Sequence, residues 1–227
     1  MEQAKNVTEA QIEEVDWSVG RILETLRDEG LAEQTFVLFT SDNGGARGCV
    51  NKPLRGGKGS AWEGGVREPT VAWWPQTIPA GSTCDEVATA LDVLPTFAKL
   101  AGASVPDDRV IDGKDIMGLL LGAPNATSPH ECFFYHQGEK LRAVRSGRWK
   151  LFRNGRLYDL DEDIGESKNV AARHPEVVKR LQGYMDQFEA EIRKNARPVG
   201  VAEDPRTLLP RPGVQGEKAF APTLELK

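Results

Sequence analysis

FVLFTSDNGGARGCVNKPLRGGKGSAWEGGVR, residues 36–67, is the stretch on which the reading of this 227-residue chain turns. It opens with five residues, Phe36 to Thr40, that are apolar or β-branched. A run that short, with no period-2 alternation, predicts a strand buried on both faces of a parallel sheet. Directly behind it come Ser41, Asp42, Asn43, Gly44 and Gly45. Loops beyond the carboxyl ends of strands are where open α/β sheets bind ligands. A carboxylate beside an amide oxygen suits a hard cation such as Ca2+ or Mg2+. Lys58 follows, set among Gly56, Gly57 and Gly59. Glycines let backbone N–H groups approach an anion, and the lysine adds a compact positive charge. Oxygen ligands for a cation and a lysine for an anion, close in sequence, point to sulfate or phosphate ester chemistry.

The glycine-lysine cluster is not a Walker A loop. That motif requires a glycine where this chain has Lys52, and a Ser or Thr where it has Gly59. Asp-Asn-Gly-Gly is also a good turn in its own right. Each piece gains its meaning from the ordered string around it.

Upstream, Thr8 and Gln11 have capping-box spacing, and Ile12, Val15, Val19, Ile22, Leu23 and Leu26 share one face. A helix over 8–29, stopped by Gly30, therefore feeds the strand at Phe36. Downstream, residues 41–65 lack any helical or strand period, and a loop of that length is uncommon unless it is functional. Glu63 and Arg67 read as residues that hold its shape, and Arg55 as a solvated surface arginine. Thr70 to Trp74 and Val87 to Leu91 read as strands. A helix capped by Asp92 follows, with Val93, Leu94, Phe97 and Leu100 as core.

The remainder has a different rhythm. Residues 104–130 are rich in loop signals. Phe133 to His136, Leu141 to Arg145, Trp149 to Phe152 and Leu157 to Leu160 are strand-like, with turns at Ser146-Gly147 and Asn154-Gly155, the latter a type I′ signal. Pro175 opens a helix whose Val177, Val178, Leu181, Met185, Phe188 and Ile192 make one face. The expected organisation is an α/β segment over 1–125, a small antiparallel sheet with one helix over 126–195, and an extended or disordered tail over 196–227.

The net charge of −5, with Lys and Arg dispersed, gives no sign of a nucleic-acid partner. No apolar run approaches the length of a membrane span, and no signal-peptide pattern follows Met1. Cys49, Cys84 and Cys132 fit neither a zinc site nor a disulfide framework, so they read as free thiols.

The ordered string from Asp42 through Trp62-Glu63-Gly64-Gly65-Val66-Arg67-Glu68-Pro69 resembles the sulfatase family, especially arylsulfatase A-like enzymes of the alkaline phosphatase superfamily. The resemblance continues through DVLPTFAKLAGA (92–103), DGKDIMGLLLG (112–122) and AVRSGRWKLF (143–152), and covers about residues 10 to 190. It implies a mostly parallel α/β sheet domain followed by a small subdomain of antiparallel strands and one helix. It also implies hydrolysis of a small-molecule or glycan sulfate ester, with Ca2+ as the metal and Mg2+ as the alternative. Residue by residue, Asp42 and Asn43 take the place of a metal-ligand pair, and Lys58 that of the lysine contacting the ester sulfate. His136, at a strand end, is a further candidate for the substrate pocket. The family's nucleophile is a formylglycine made from the cysteine or serine of a C/S-x-P-S-R motif. None of the three cysteines here is followed by x-P-S-R. The chain thus reads as the C-terminal part of a sulfatase, inactive by itself. A phosphoester or phosphonate hydrolase of the same superfamily and a non-catalytic relic are the alternatives. Family members are typically periplasmic, secreted or lysosomal.

Overall fold

The computed structural model describes residues 6–46 and 48–196. The chain divides into a unit Met1–Glu191 and a unit Ile192–Lys227. The elements below lie in the first unit, apart from the last turn of the final helix. The tail expected beyond residue 196 falls outside the described residues.

Helix α1 (Val7–Asp28) is capped by Asn6, whose side chain accepts the Glu9 N–H at 3.0 Å. Thr8 was the expected cap, but asparagine is the stronger capping residue and lies two positions earlier. Gly30 ends the helix at φ 67°. The apolar stripe forms, yet no residue of α1 is buried.

Strand β1 (Val37–Thr40) pairs with β2 (Thr70–Trp73) in antiparallel register, Val37 opposite Trp73 and Phe39 opposite Val71. The α/β class stands, but β1 is neither parallel to its partner nor buried on both faces: Phe39 and Thr40 are exposed. A short apolar run carries no signal of strand direction. Direction is set here by the intervening loop, which doubles back so that Ser41 N–H donates to Pro69 O at 3.3 Å.

Val87 to Leu91 is not a strand. Ala90–Asp92 is a 3-10 turn, and α3 (Val93–Leu100) follows it. The core role expected for this helix also fails: Leu94, Phe97 and Leu100 are 54, 39 and 40% exposed, and Thr96 is its buried residue. A single turn, α4 (Met117–Leu120), buries Leu119.

The small sheet matches its sequence closely. Strands β3 (Phe133–Gln137), β4 (Lys140–Ser146), β5 (Trp149–Phe152) and β6 (Leu157–Asp159) run in that order, all antiparallel. The β5–β6 turn is not type I′, since of Asn154 and Gly155 only Gly155 takes a positive φ, 83°. Helix α5 (Pro175–Asn195) covers one face, where Val144, Leu151, Leu157, Val177, Leu181 and Met185 form the core. The opposite face is covered too. There Tyr135, Ala143, Phe152 and Tyr158 pack against Ala61, Trp62 and Val66 of the long loop. The loop that carries Lys58 is thus the second cover of the small sheet.

Candidate functional site

The loop keeps its shape by backbone-to-backbone stitching that tolerates only glycine. Gly44 N–H donates to Gly65 O at 3.1 Å, and a Cβ on Gly44 would lie 2.2 Å from Gly64 O. Lys58 N–H donates to Gly45 O at 3.0 Å, and the Asn51 amide donates to both Gly45 O and Gly56 O at 3.0 and 3.1 Å. The turn bearing Asp42 and Asn43 is therefore fastened to the turn bearing Lys58. Gly56 and Gly59 adopt φ 78° and 84°, a region that disfavours side chains, and so let the chain reverse on either side of Lys58. Asp42 and Lys58 are exposed and Asn43 is half-buried. Glu68, beyond the loop, has its carboxyl pushed upward, first by burial and then by the nearby Asp42 charge, against the pull of the Thr40 hydroxyl.

The C-terminal end of the same loop enters a buried ionic cluster through Glu63. Glu63, at the start of α2 (Glu63–Val66), is 1% exposed, and Lys150 and Glu166 are 0% exposed. Lys150 Nζ donates to Glu63 Oε1 at 2.8 Å and lies 2.8 Å from Glu166 Oε1, a close ion pair outside hydrogen-bond alignment. Tyr135 OH donates to Glu63 Oε1 at 2.8 Å, Arg67 Nε donates to Glu63 Oε2 at 2.6 Å, and Arg145 approaches the same carboxylate at 3.6 Å. The Glu63 N–H donates to Glu166 Oε2 at 2.8 Å. Two carboxylates share one buried lysine, and they respond in opposite ways. Burial pushes Glu63 upward, but Lys150, Arg67 and Tyr135 together outweigh it and hold its pKa at about 2. For Glu166 burial prevails over Lys150 and the pKa rises.

This split fixes how the cluster responds to acid. Glu63, depressed when folded, contributes stability that is complete above its ordinary pKa of 4.5 and lost as pH falls through about 2. Glu166, raised when folded, takes up its proton earlier in the folded state, so its own contribution runs the other way. Urea unfolding across that pH range is expected to show a net loss on acidification. Glu166→Gln should remove the opposing contribution and make the loss steeper.

The expectation that Glu63 and Arg67 hold the loop is met by these bonds. Arg55 is exposed, as expected of a surface arginine, but it is also held: it donates to Glu166 O at 2.8 Å, and its guanidinium carbon sits 3.8 Å above the Trp62 ring. His136 is exposed and lies on the α5 side, its ring 5.6 Å from Phe188. Its neighbour Gln137, which follows it in β3, is the residue that reaches the loop and donates to Gly59 O at 2.7 Å. Asp42, Asn43 and Lys58 are thus brought onto one loop, while His136 faces elsewhere. Among the described residues no three His, Cys, Asp or Glu side chains converge as a metal site. The three cysteines are free. Lys150, Glu166 and Tyr135 escaped sequence reading. In the folded sheet Tyr135, Arg145 and Lys150 of β3, β4 and β5 share the loop-facing side, a placement that strand pairing shows and the sequence alone does not.

Comparison with known proteins gives this geometry its context. A Sulfatase family model matches residues 3–103, and a model for the C-terminal region of N-sulphoglucosamine sulphohydrolase matches residues 57–191. Steryl-sulfatase of Mus musculus is 37% identical, over 90% of this chain and 40% of its own length. Arylsulfatase A of Homo sapiens is 37% identical, over 85% of this chain and 46% of its own length. The crystal structure of PsFucS1 sulfatase from Pseudoalteromonas sp. superposes with a TM-score of 0.75 at 27% identity, covering 85% of this chain and 44% of that one. The chain spans less than half the length of these relatives. The two family models overlap over residues 57–103, which include Lys58, and by both of them the chain belongs to the sulfatase family.

Proposed function

We propose that residues 41–67 form the metal- and sulfate-contacting part of a sulfuric ester hydrolase site, and that the chain is an incomplete catalyst by itself. The observation that carries the reading is the fastening of the Asp42–Asn43 turn to Lys58 through Gly45 O. It holds hard oxygen donors and an exposed ammonium on two turns joined by hydrogen bonds. The donor set fits calcium: a carboxylate and an amide oxygen would hold it, with the remaining ligands supplied from outside this group. When bound, such an ion supplies Lewis-acid polarisation of a sulfate oxygen. Lys58 binds and orients the anionic ester and offsets the charge that develops on its oxygens. The formylglycine nucleophile does not fit any cysteine of this chain, since none sits in a C/S-x-P-S-R motif, and no step is derived through it.

Incompleteness is supported by surface chemistry. On α1, Ile12, Trp17 and Ile22 are 60, 62 and 58% exposed, and Val71, opposite Phe39 across β1–β2, is 61% exposed. Apolar faces of this kind mark surfaces built to be covered. A longer sulfatase chain would cover them. The phosphoester alternative has no observation of its own in its favour.

A chromogenic aryl sulfate, 4-nitrocatechol sulfate, tests the proposal. The isolated chain is expected to give no turnover above background with calcium present. Turnover that Lys58→Ala abolishes would overturn the incompleteness half of the reading and leave the site intact. Turnover unaffected by Lys58→Ala would overturn the site as well.

A further inference from the structure

We infer that the small β3–β6 sheet is the positioning platform for Lys58, and that Lys150, Glu166 and Gln137 act as positioning residues through the loop that carries it. The inference rests on the reading of Lys58 as the sulfate contact and adds residues that lie far from it in sequence. Three tethers bracket the lysine. On its N-terminal side, Arg55 donates to Glu166 O at 2.8 Å. Immediately after it, Gly59 O accepts from the Gln137 side chain at 2.7 Å. Further on, Glu63 is clamped by Lys150 and Tyr135, and its own N–H by Glu166. Every partner outside the loop belongs to the small sheet or to the segment that follows it.

The chemistry suits positioning more than simple cohesion. A fully buried ion pair gives little net stability against apolar replacements of the same volume. What it does give is geometry, because each charge accepts only a few partner placements. The apolar contacts of Trp62 on Phe152, ring centroids 4.3 Å apart, would hold the loop against the sheet without any charge. The charged tethers select one placement of that loop, and with it one placement of the Lys58 ammonium. Lys58 itself makes no demand on the sheet, so its position is inherited from its neighbours.

Amide hydrogen exchange on the full chain tests this, comparing the parent with Glu63→Gln and Gln137→Ala. The reporters are the amides of Lys58, bonded to Gly45 O, and Gly64, bonded to Arg55 O. The controls are the amides of Val170, bonded to Leu157 O, and Arg153, bonded to Arg142 O, both in the small subdomain. Both variants are expected to speed exchange at the reporters by about tenfold and leave the controls unchanged, as local opening does. The response of the Lys58 amide to inorganic sulfate should weaken in parallel. Reporter protection equal to the parent in both variants overturns the inference. Reporters and controls accelerating together also overturns it, because the tethers then hold the subdomain rather than the lysine. If reporters and controls behave as expected but the parent shows no sulfate response at Lys58, the positioning stands and the reading of Lys58 as a sulfate contact fails.

Discussion

Lys150→Met is expected to lower the unfolding free energy by about 3–5 kcal/mol, read from urea denaturation at neutral pH. The side chain is fully buried between two carboxylates that are themselves within 1% of full burial. Methionine keeps much of the volume, so packing is nearly conserved. What is lost is, among the described residues, the only cation held within 3 Å of both carboxylates, and buried charges left uncompensated are expensive. Glu63 retains Arg67 at 2.6 Å and the Tyr135 hydroxyl at 2.8 Å, whereas Glu166 loses its cation. Adding Glu166→Gln to Lys150→Met should therefore recover part of the loss. If the double variant is no better than the single one, packing and not charge is the cause.

The second large effect is expected at Asp92, which is 0% exposed although it stands at the start of a helix. Its carboxylate makes no side-chain cap on α3. It turns back instead to accept Thr89 N–H at 2.7 Å, and it also accepts Lys114 N–H at 2.7 Å while meeting His130 Nε2 at 2.7 Å. One side chain thus joins the turn before α3, the segment around Gly113 and the approach to β3. Gly113 packs so tightly there that a Cβ would fall 1.9 Å from Leu91 O. Asp92→Ala leaves two part-buried backbone donors and an imidazole without their acceptor, and the expected cost is about 3 kcal/mol or more. Thermal unfolding of the variant checks it. A loss under about 1 kcal/mol would mean that water reaches those donors.

How far the sequence carried this account differs between its two parts. In the small subdomain, alternation and turn residues located all four strands to within about a residue or two, because each strand has one face on α5 and the other on the loop. The helix α5 was legible for the same reason: its buried Val177, Leu181 and Met185 keep the helical spacing. In the first part the same signals misled. Leu94, Phe97 and Leu100 are apolar at helical spacing but exposed, and periodicity predicts a face, not what covers it. The direction of β1 was beyond a five-residue run. For the site, glycine spacing and residue chemistry singled out Asp42, Asn43 and Lys58 on one loop, and the structure fastens their turns together. The cluster at the end of that loop was hidden because lysine is so seldom fully buried that Lys150, between Trp149 and Leu151, reads as the exposed member of a strand. Only the pairing of strands shows that its side of the sheet is covered.

The measurement that bears most directly on the central claim is an NMR titration of the chain with calcium and inorganic sulfate, followed at the amides of Asp42, Asn43 and Lys58. The expected result is a calcium-dependent shift at Asp42 and Asn43, with an affinity of about 10⁻³ M or weaker given so few ligands. A sulfate-dependent shift at Lys58 should accompany it and disappear in Lys58→Ala. Titrations that leave all three amides unmoved, or a sulfate response that survives Lys58→Ala, would contradict the account.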